Sequence, residues 1–165
     1  MANSWPPYVL SSLRASIDQL AESIRERPRE RSVDESVWLV RFFVVRTCGY
    51  LEQVVHETVK AYIDACSGGP VREFAHSWMA RSRNPSPDNM LGLVGRLGGS
   101  FEESLRGHLE KDDQHLLREM HLLVDRRHKI AHGLNEGLND RRALQLYDSA
   151  IEVADWFFGN LKPPR

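Results

Sequence analysis

The chain has 165 residues, of which 41% are hydrophobic and 27% charged. That is the balance of a globular protein long enough to bury one core without staples. Lys and Arg number 22 against 23 Asp and Glu, a net charge of -1, which excludes a polycationic nucleic-acid coat but not a local basic site. Cys48 and Cys66 form no Cys-x-x-Cys pair, so neither a disulfide framework nor a cysteine zinc site is expected. No apolar run approaches the roughly 20 residues that span a bilayer. The first residues, Met-Ala-Asn-Ser-Trp-Pro-Pro, lack the charged and apolar regions of a signal peptide. A soluble, cytoplasmic protein without membrane association is expected, as one domain over 1–165, with an N-terminal helix and linker in 1–34 and a core in 35–161.

The pattern is helical throughout. Leu10, Leu13, Ile17, Leu20 and Ile24 recur at three and four, predicting a helix over 7–27 that Pro28 ends. After a charged linker, Asp34 is the expected N-cap of a long helix over 35–66. Phe42-Phe43-Val44-Val45 has strand-like composition, but the surrounding pattern runs for about 30 residues unbroken, too long for a strand. Gly68-Gly69-Pro70 stops it. Short helices are expected over 71–81, 87–97 and 101–110. The second is opened by Ser86-Pro87 and the third by a capping box, Ser100-x-x-Glu103. Asp112 or Asp113 then caps a helix that ends at Gly133. Asp140 caps a last one, with Leu144, Tyr147, Ile151, Ala154, Phe158 and Leu161 on one stripe. The fold class is therefore all-α: an antiparallel bundle of four to five main helices plus short ones.

Two charges fall inside apolar stripes. At about 100° per residue, Arg127 is flanked within about 40° by Leu116, Met120, Leu123 and Ala131. Glu52 on the long helix is similarly flanked by Val45, Cys48, Val59 and Ile63. Buried charges are rare unless paired, so the two helices are expected to meet with Glu52 and Arg127 in salt-bridge contact. Arg41 shares the Glu52 stripe but lies about 16 Å away along the axis. The pair reads either as an architectural ion pair, with snorkelling of Arg127 as a variant, or as part of a site.

His132 follows five residues after Arg127, beside the helix-ending Gly133. An accessible imidazole at a frayed helix end suits acid–base chemistry. His128 and His132 at i, i+4 have the spacing of a metal pair, yet no third ligand of matching spacing accompanies them; a solvated polar face is the other alternative. His56 reads as a core-edge residue, and His76, His108 and His115 as surface residues. Arg126, Arg127, Lys129, Arg141 and Arg142 bracket His132. A basic cluster is commonly a solvated face; around a histidine it favours an anionic ligand such as a phosphodiester.

Leu123-Val-Asp-Arg-Arg-His-Lys-Ile-Ala-His-Gly133 resembles the signature of the HEPN superfamily, closest to its RiboL-PSP-HEPN type: an Arg, four to six residues, then a His. Arg127 and His132 fit with four between them, His128 takes the polar position after the Arg, and Ile130-Ala-His-Gly133 matches the usual ending. The segment 42–61 with Glu52 is similar to the family's long acidic helix, and 140–161 to its closing helix. The resemblance implies a helical bundle that dimerises so that two motifs face one cleft. It implies a metal-independent endoribonuclease with catalytic Arg127, His128, His132 and Glu52, and no cofactor. Arg126, Lys129, Arg141 and Arg142 would contact RNA. A toxin or defence role, with an antitoxin or regulatory protein as partner, also follows from it. Leu134 stands where members paired with nucleotidyltransferase antitoxins carry a Tyr, so that particular partnership is not expected. The rival implication is a non-catalytic HEPN module that binds nucleotide, RNA or a protein.

Overall fold

The structure, a computed structural model, describes residues 5–26, 31–79, 84–134 and 137–164. They contain six helices and no strand: α1 Tyr8–Glu26, α2 Val33–Cys66, α3 Gly69–Ser77, α4 Pro87–Gly95, α5 Gly99–Ala131 and α6 Asp140–Asn160. The expected helix stop at Pro28 and the expected helix end at Arg81 lie outside the described residues.

Several helix ends differ from the sequence expectation, each for a local reason. The cap of α2 is Ser32, not Asp34. Glu35 N–H donates to Ser32 Oγ (3.2 Å) and Ser32 N–H donates to Glu35 Oε2 (2.8 Å), a reciprocal pair that satisfies two orphan amides. The chain between 42 and 45 is helical, with Phe43 and Val44 buried and Phe42 outside. Ser86 caps α4 as expected, accepting from Asn89 N–H. The capping box at Ser100 and Glu103 is not formed, because α5 already starts at Gly99, behind Gly98. Asn139 rather than Asp140 caps α6, accepting from Arg142 N–H at 2.8 Å.

α5 is two helices in one. Asp112, Asp113 and Gln114 all have φ between 50° and 60°, three successive left-handed residues that break the helical path. Such residues cost roughly 1 kcal/mol or more each, least for Asp and Asn. The expected division into two helices is found, but neither Asp112 nor Asp113 caps the second, because both are left-handed and Gln114 follows them in the same conformation.

Burial follows the stripes. α1 contributes Leu10, Ile17, Ala21 and Ile24 to a core built with Phe43, Leu51 and Val54 of α2 and Leu146, Val153 and Phe157 of α6. α1 runs antiparallel to α6: Trp5 Nε1 donates to Phe158 O, Tyr147 hydroxyl to Asp18, and Arg25 lies 3.6 Å from Asp148. Burial and the Asp18 carboxylate push the Tyr147 hydroxyl up to about 12. α3 is clipped to α2 around Asp64, whose carboxylate lies 2.8 Å from Lys60 Nζ and 3.0 Å from His76 Nε2. The hydrogen bond from Lys60 is the main cause holding the Asp64 carboxyl below its usual range. His76 is therefore no plain surface residue, and neither is His108, half-buried and 4.0 Å from Glu152. Both were expected at the surface. The helix pattern alone could not show that a second helix covers them.

An ion pair fastens the second half of α5 to α6. Arg142 Nη2 lies 2.6 Å from Oε1 of Glu119, whose carboxylate is buried. Arg142→Ala strips that carboxylate of its counter-charge and should destabilise the protein by about 3 kcal/mol; Glu119→Gln, which removes the charge, should cost clearly less. Urea unfolding of the two variants checks the order.

Candidate functional site at the end of α5

The last turns of α5 carry Arg127, His128 and His132, and the local geometry fixes where they stand. Gly133 adopts φ 72°, its N–H donates to Ile130 O (3.0 Å), and Leu134 N–H donates to Lys129 O (3.0 Å). This is a Schellman cap, which needs a left-handed residue at that position and so favours glycine. The expectation for Gly133 is met. His132 is the last half-helical residue, its N–H bonded to the carbonyls of His128 and Lys129. The two imidazoles touch edge to face, with ring centroids 4.4 Å apart, and both are exposed.

Arg127 is exposed as well, contrary to its mid-stripe position. Leu116, Met120 and Leu123 are buried, Val124 and Ile130 only half so, and Ala131 exposed. The apolar stripe thus runs beyond the end of the core, carrying Arg127 into solvent. The expected Glu52–Arg127 salt bridge is not formed, and Arg127 has no ion pair among the described residues. The two charges nonetheless share a neighbourhood. Burial pushes the Cys48 thiol up to about 11, while Arg127 pulls it down and Glu52 pushes it up. Both therefore act on one buried group, from two helices.

Glu52 faces a cleft instead. It is half-buried, and with His56 it forms the α2 wall of a cleft that encloses about 90 Å³. Asp88 and Asn89 of α4, Arg96 just after it, and Trp78 line the cleft as well. His56, expected at the core edge, is half-buried there. None of the α4 residues stood out in the sequence. The cleft is assembled by packing between distant segments and has no local pattern.

The basic residues around the motif divide into two groups. Arg142 is held by Glu119 and by Gln145, and Lys129 lies 3.2 Å from Asp125, so their charges are partly neutralised. Arg141 is exposed, and Arg126 is half-buried. Among the described residues no three His, Cys, Asp or Glu side chains group to hold a metal ion. No helix there is long and apolar enough to cross a membrane.

The family model of RiboL-PSP-HEPN matches residues 9–159. The chain belongs to the RiboL-PSP-HEPN family. No curated protein and no solved structure matches it. The RiboL-PSP-HEPN match starts inside α1 and ends inside α6, so α1 belongs to the family's domain rather than preceding it. This extends the likeness seen in the sequence, which began near residue 35. Helices α2 to α5 of this HEPN module, the α5 end and the α2–α4 cleft fall within the matched span.

The thiols report on this region. Cys48 is buried with its ionisation suppressed, and Cys66 is exposed. The thiolate is the reacting form. At pH 8 the native protein should therefore release one equivalent of thiol to a disulfide reagent promptly, and a second only in denaturant. Prompt release of two would show that the helix packing around Cys48 is open.

Proposed function

We propose that this HEPN module is a metal-independent endoribonuclease that works as a homodimer with a composite site. The observation that carries the reading is the exposed set of Arg127, His128 and His132 at the end of α5, on a chain of this family. A single chain holds these groups on a convex helix end. On an ideal wheel, five residues turn His132 about 140° from Arg127. A second copy related by a two-fold axis supplies the missing side of a cleft. An exposed apolar patch supports that arrangement. On α2, Trp38 is 67% and Phe42 52% exposed, on the half of the helix that precedes Cys48. Large exposed apolar side chains grouped on one face are typical of interaction surfaces.

The chemistry follows from the side chains. His132 of one protomer takes the proton from a ribose 2′-OH, whose oxygen attacks the adjacent phosphorus. The bond from phosphorus to the 5′ oxygen breaks, and His132 of the other protomer gives that oxygen its proton. The products are a 2′,3′-cyclic phosphate and a 5′-OH. Arg127 stabilises the charge that develops on the phosphorane oxygens, and His128 positions the phosphate. Glu52 would help to position Arg127, without an ion pair between them. Arg126, Lys129, Arg141 and Arg142 follow the RNA backbone; Arg142 and Lys129 contribute less, given their carboxylate partners. Such an activity suits a toxin or defence effector restrained by an antitoxin or regulatory protein, and the balanced charge and helix pattern suit a cytoplasmic protein.

Incubating the protein with total RNA in EDTA tests this. Cleavage should persist in the chelator, yield cyclic phosphate ends, and fall about 100-fold or more in His132→Ala. Light scattering should give about 38 kDa, twice the chain's 19.0 kDa. Cleavage that needs a divalent metal or survives without His132 overturns the mechanism. RNA or nucleotide retained without cleavage favours the non-catalytic HEPN module instead.

A further inference from the structure

The α2–α4 cleft has a chemistry that the reaction above does not use. Its acceptors sit on α4. The Nδ2 of Asn89 donates to Asn84 O (3.0 Å) and Asn84 Oδ1 (2.8 Å), and its Oδ1 has no donor among the described residues. Asp88, the preceding residue, adds a carboxylate. The donor is Arg96, whose guanidinium lies 4.1 Å over the Trp78 ring. Stacking holds that guanidinium flat and leaves its N–H edge for a planar partner. Val55, Met90 and Leu93 supply apolar wall. The enclosed part of the cleft is about 90 Å³, room for a flat group with the rest of its ligand left in solvent.

We infer that this cleft binds a guanine base. Guanine is the base with two parallel N–H donors on its Watson–Crick edge, matched by a carboxylate with an amide oxygen beside it. Its other edge offers two acceptors, O6 and N7, the arrangement that an arginine reads bidentately. Adenine and cytosine each offer a single amino donor beside an acceptor, and uracil one donor between two acceptors. Bases of single-stranded RNA are commonly read in such pockets by edge contacts and planar packing. Glu52 joins the two sites: it lines the cleft, and Cys48, one turn earlier and about 6 Å along the axis, lies within the field of Arg127. A strand whose phosphodiester reaches Arg127 and His132 can therefore place a neighbouring base in the cleft. That link rests on the ribonuclease reading; the cleft itself does not.

The test has a binding arm and a cleavage arm. In the first, guanosine, adenosine, cytidine and uridine are titrated into the full-length protein by NMR. Guanosine should bind at least 5-fold more tightly than the others and shift resonances of Trp78 and Asn89. Asp88→Asn and Arg96→Gln should each weaken it about 10-fold, and His132→Ala should leave it unchanged. Equal binding of all four nucleosides, or shifts elsewhere on the molecule, overturns the inference. In the second arm, single-stranded RNAs that differ in one base beside the cut are compared. Asp88→Asn should lower the ratio of the rates on the guanine-containing RNA and on the others. Guanosine binding without any such preference in cleavage upholds the cleft and overturns its link to the strand. Cleavage in EDTA with no guanosine binding upholds the ribonuclease and overturns the cleft.

Discussion

The governing constraint is the length of α2. Its 34 residues make a rod about 50 Å long, while α1 and α6, with 19 and 21 residues, reach only about 30 Å each. Neighbours of that length cannot cover such a rod on every side. α1 and α6 take one face, the second half of α5 takes part of another, and α3 with α4 attends the C-terminal half. What is left over is not random. One remainder is the exposed stretch with Trp38 and Phe42; another is the gap where α4 stands off from Glu52 and His56. Both chemically interesting surfaces arise because one element outruns its neighbours.

The core residues and the motif residues obey different rules of placement. The core follows stripes: Leu10, Ile17, Ala21 and Ile24 all point inward as their spacing demands. Arg127 sits on the same kind of stripe, one turn beyond Leu123, where the side chain is no longer covered. Arg127 is thus held in register by Leu116, Met120 and Leu123, while its own guanidinium is free of the desolvation that burial would impose. A rigid helix anchored by its buried portion and projecting its charged end is a cheap way to fix a cation in space.

This explains what could be read from the sequence. The helical class, the stop after Cys66, the Ser86 cap and the left-handed Gly133 are local matters, decided by residues within a turn or two, and they were legible. The RiboL-PSP-HEPN likeness was legible too, because the Arg127–Gly133 stretch is a compact pattern. The exposure of Arg127 was not. A helical wheel tells which side of a helix faces inward but nothing of how far the core extends along the axis. The expected contact between Glu52 and Arg127 failed for that reason: both angular positions were sound, and the axial and lateral offsets between helices were unknown. The cleft was invisible because Asp88, Asn89 and Arg96 gain meaning only from α2, some 35 to 45 positions away in the chain. The preference for Ser32 over Asp34 as a cap turned on Glu35, which completes a reciprocal pair with Ser32 alone.

The left-handed break at 111–114 bears on how such a chain can vary. In an uninterrupted helix, one inserted residue rotates everything beyond it by about 100°, and the motif would turn away from its site. Here the phase of the second half of α5 is set afresh after the break, by Leu116, Met120 and Leu123 against the core and by the tie from Glu119 to Arg142. Insertions or deletions within the break are absorbed there, whereas the same change after Leu116 misdirects His132. The break acts as a phase boundary: the connecting half of α5 is at liberty to drift in length while the half that carries the motif keeps its bearing.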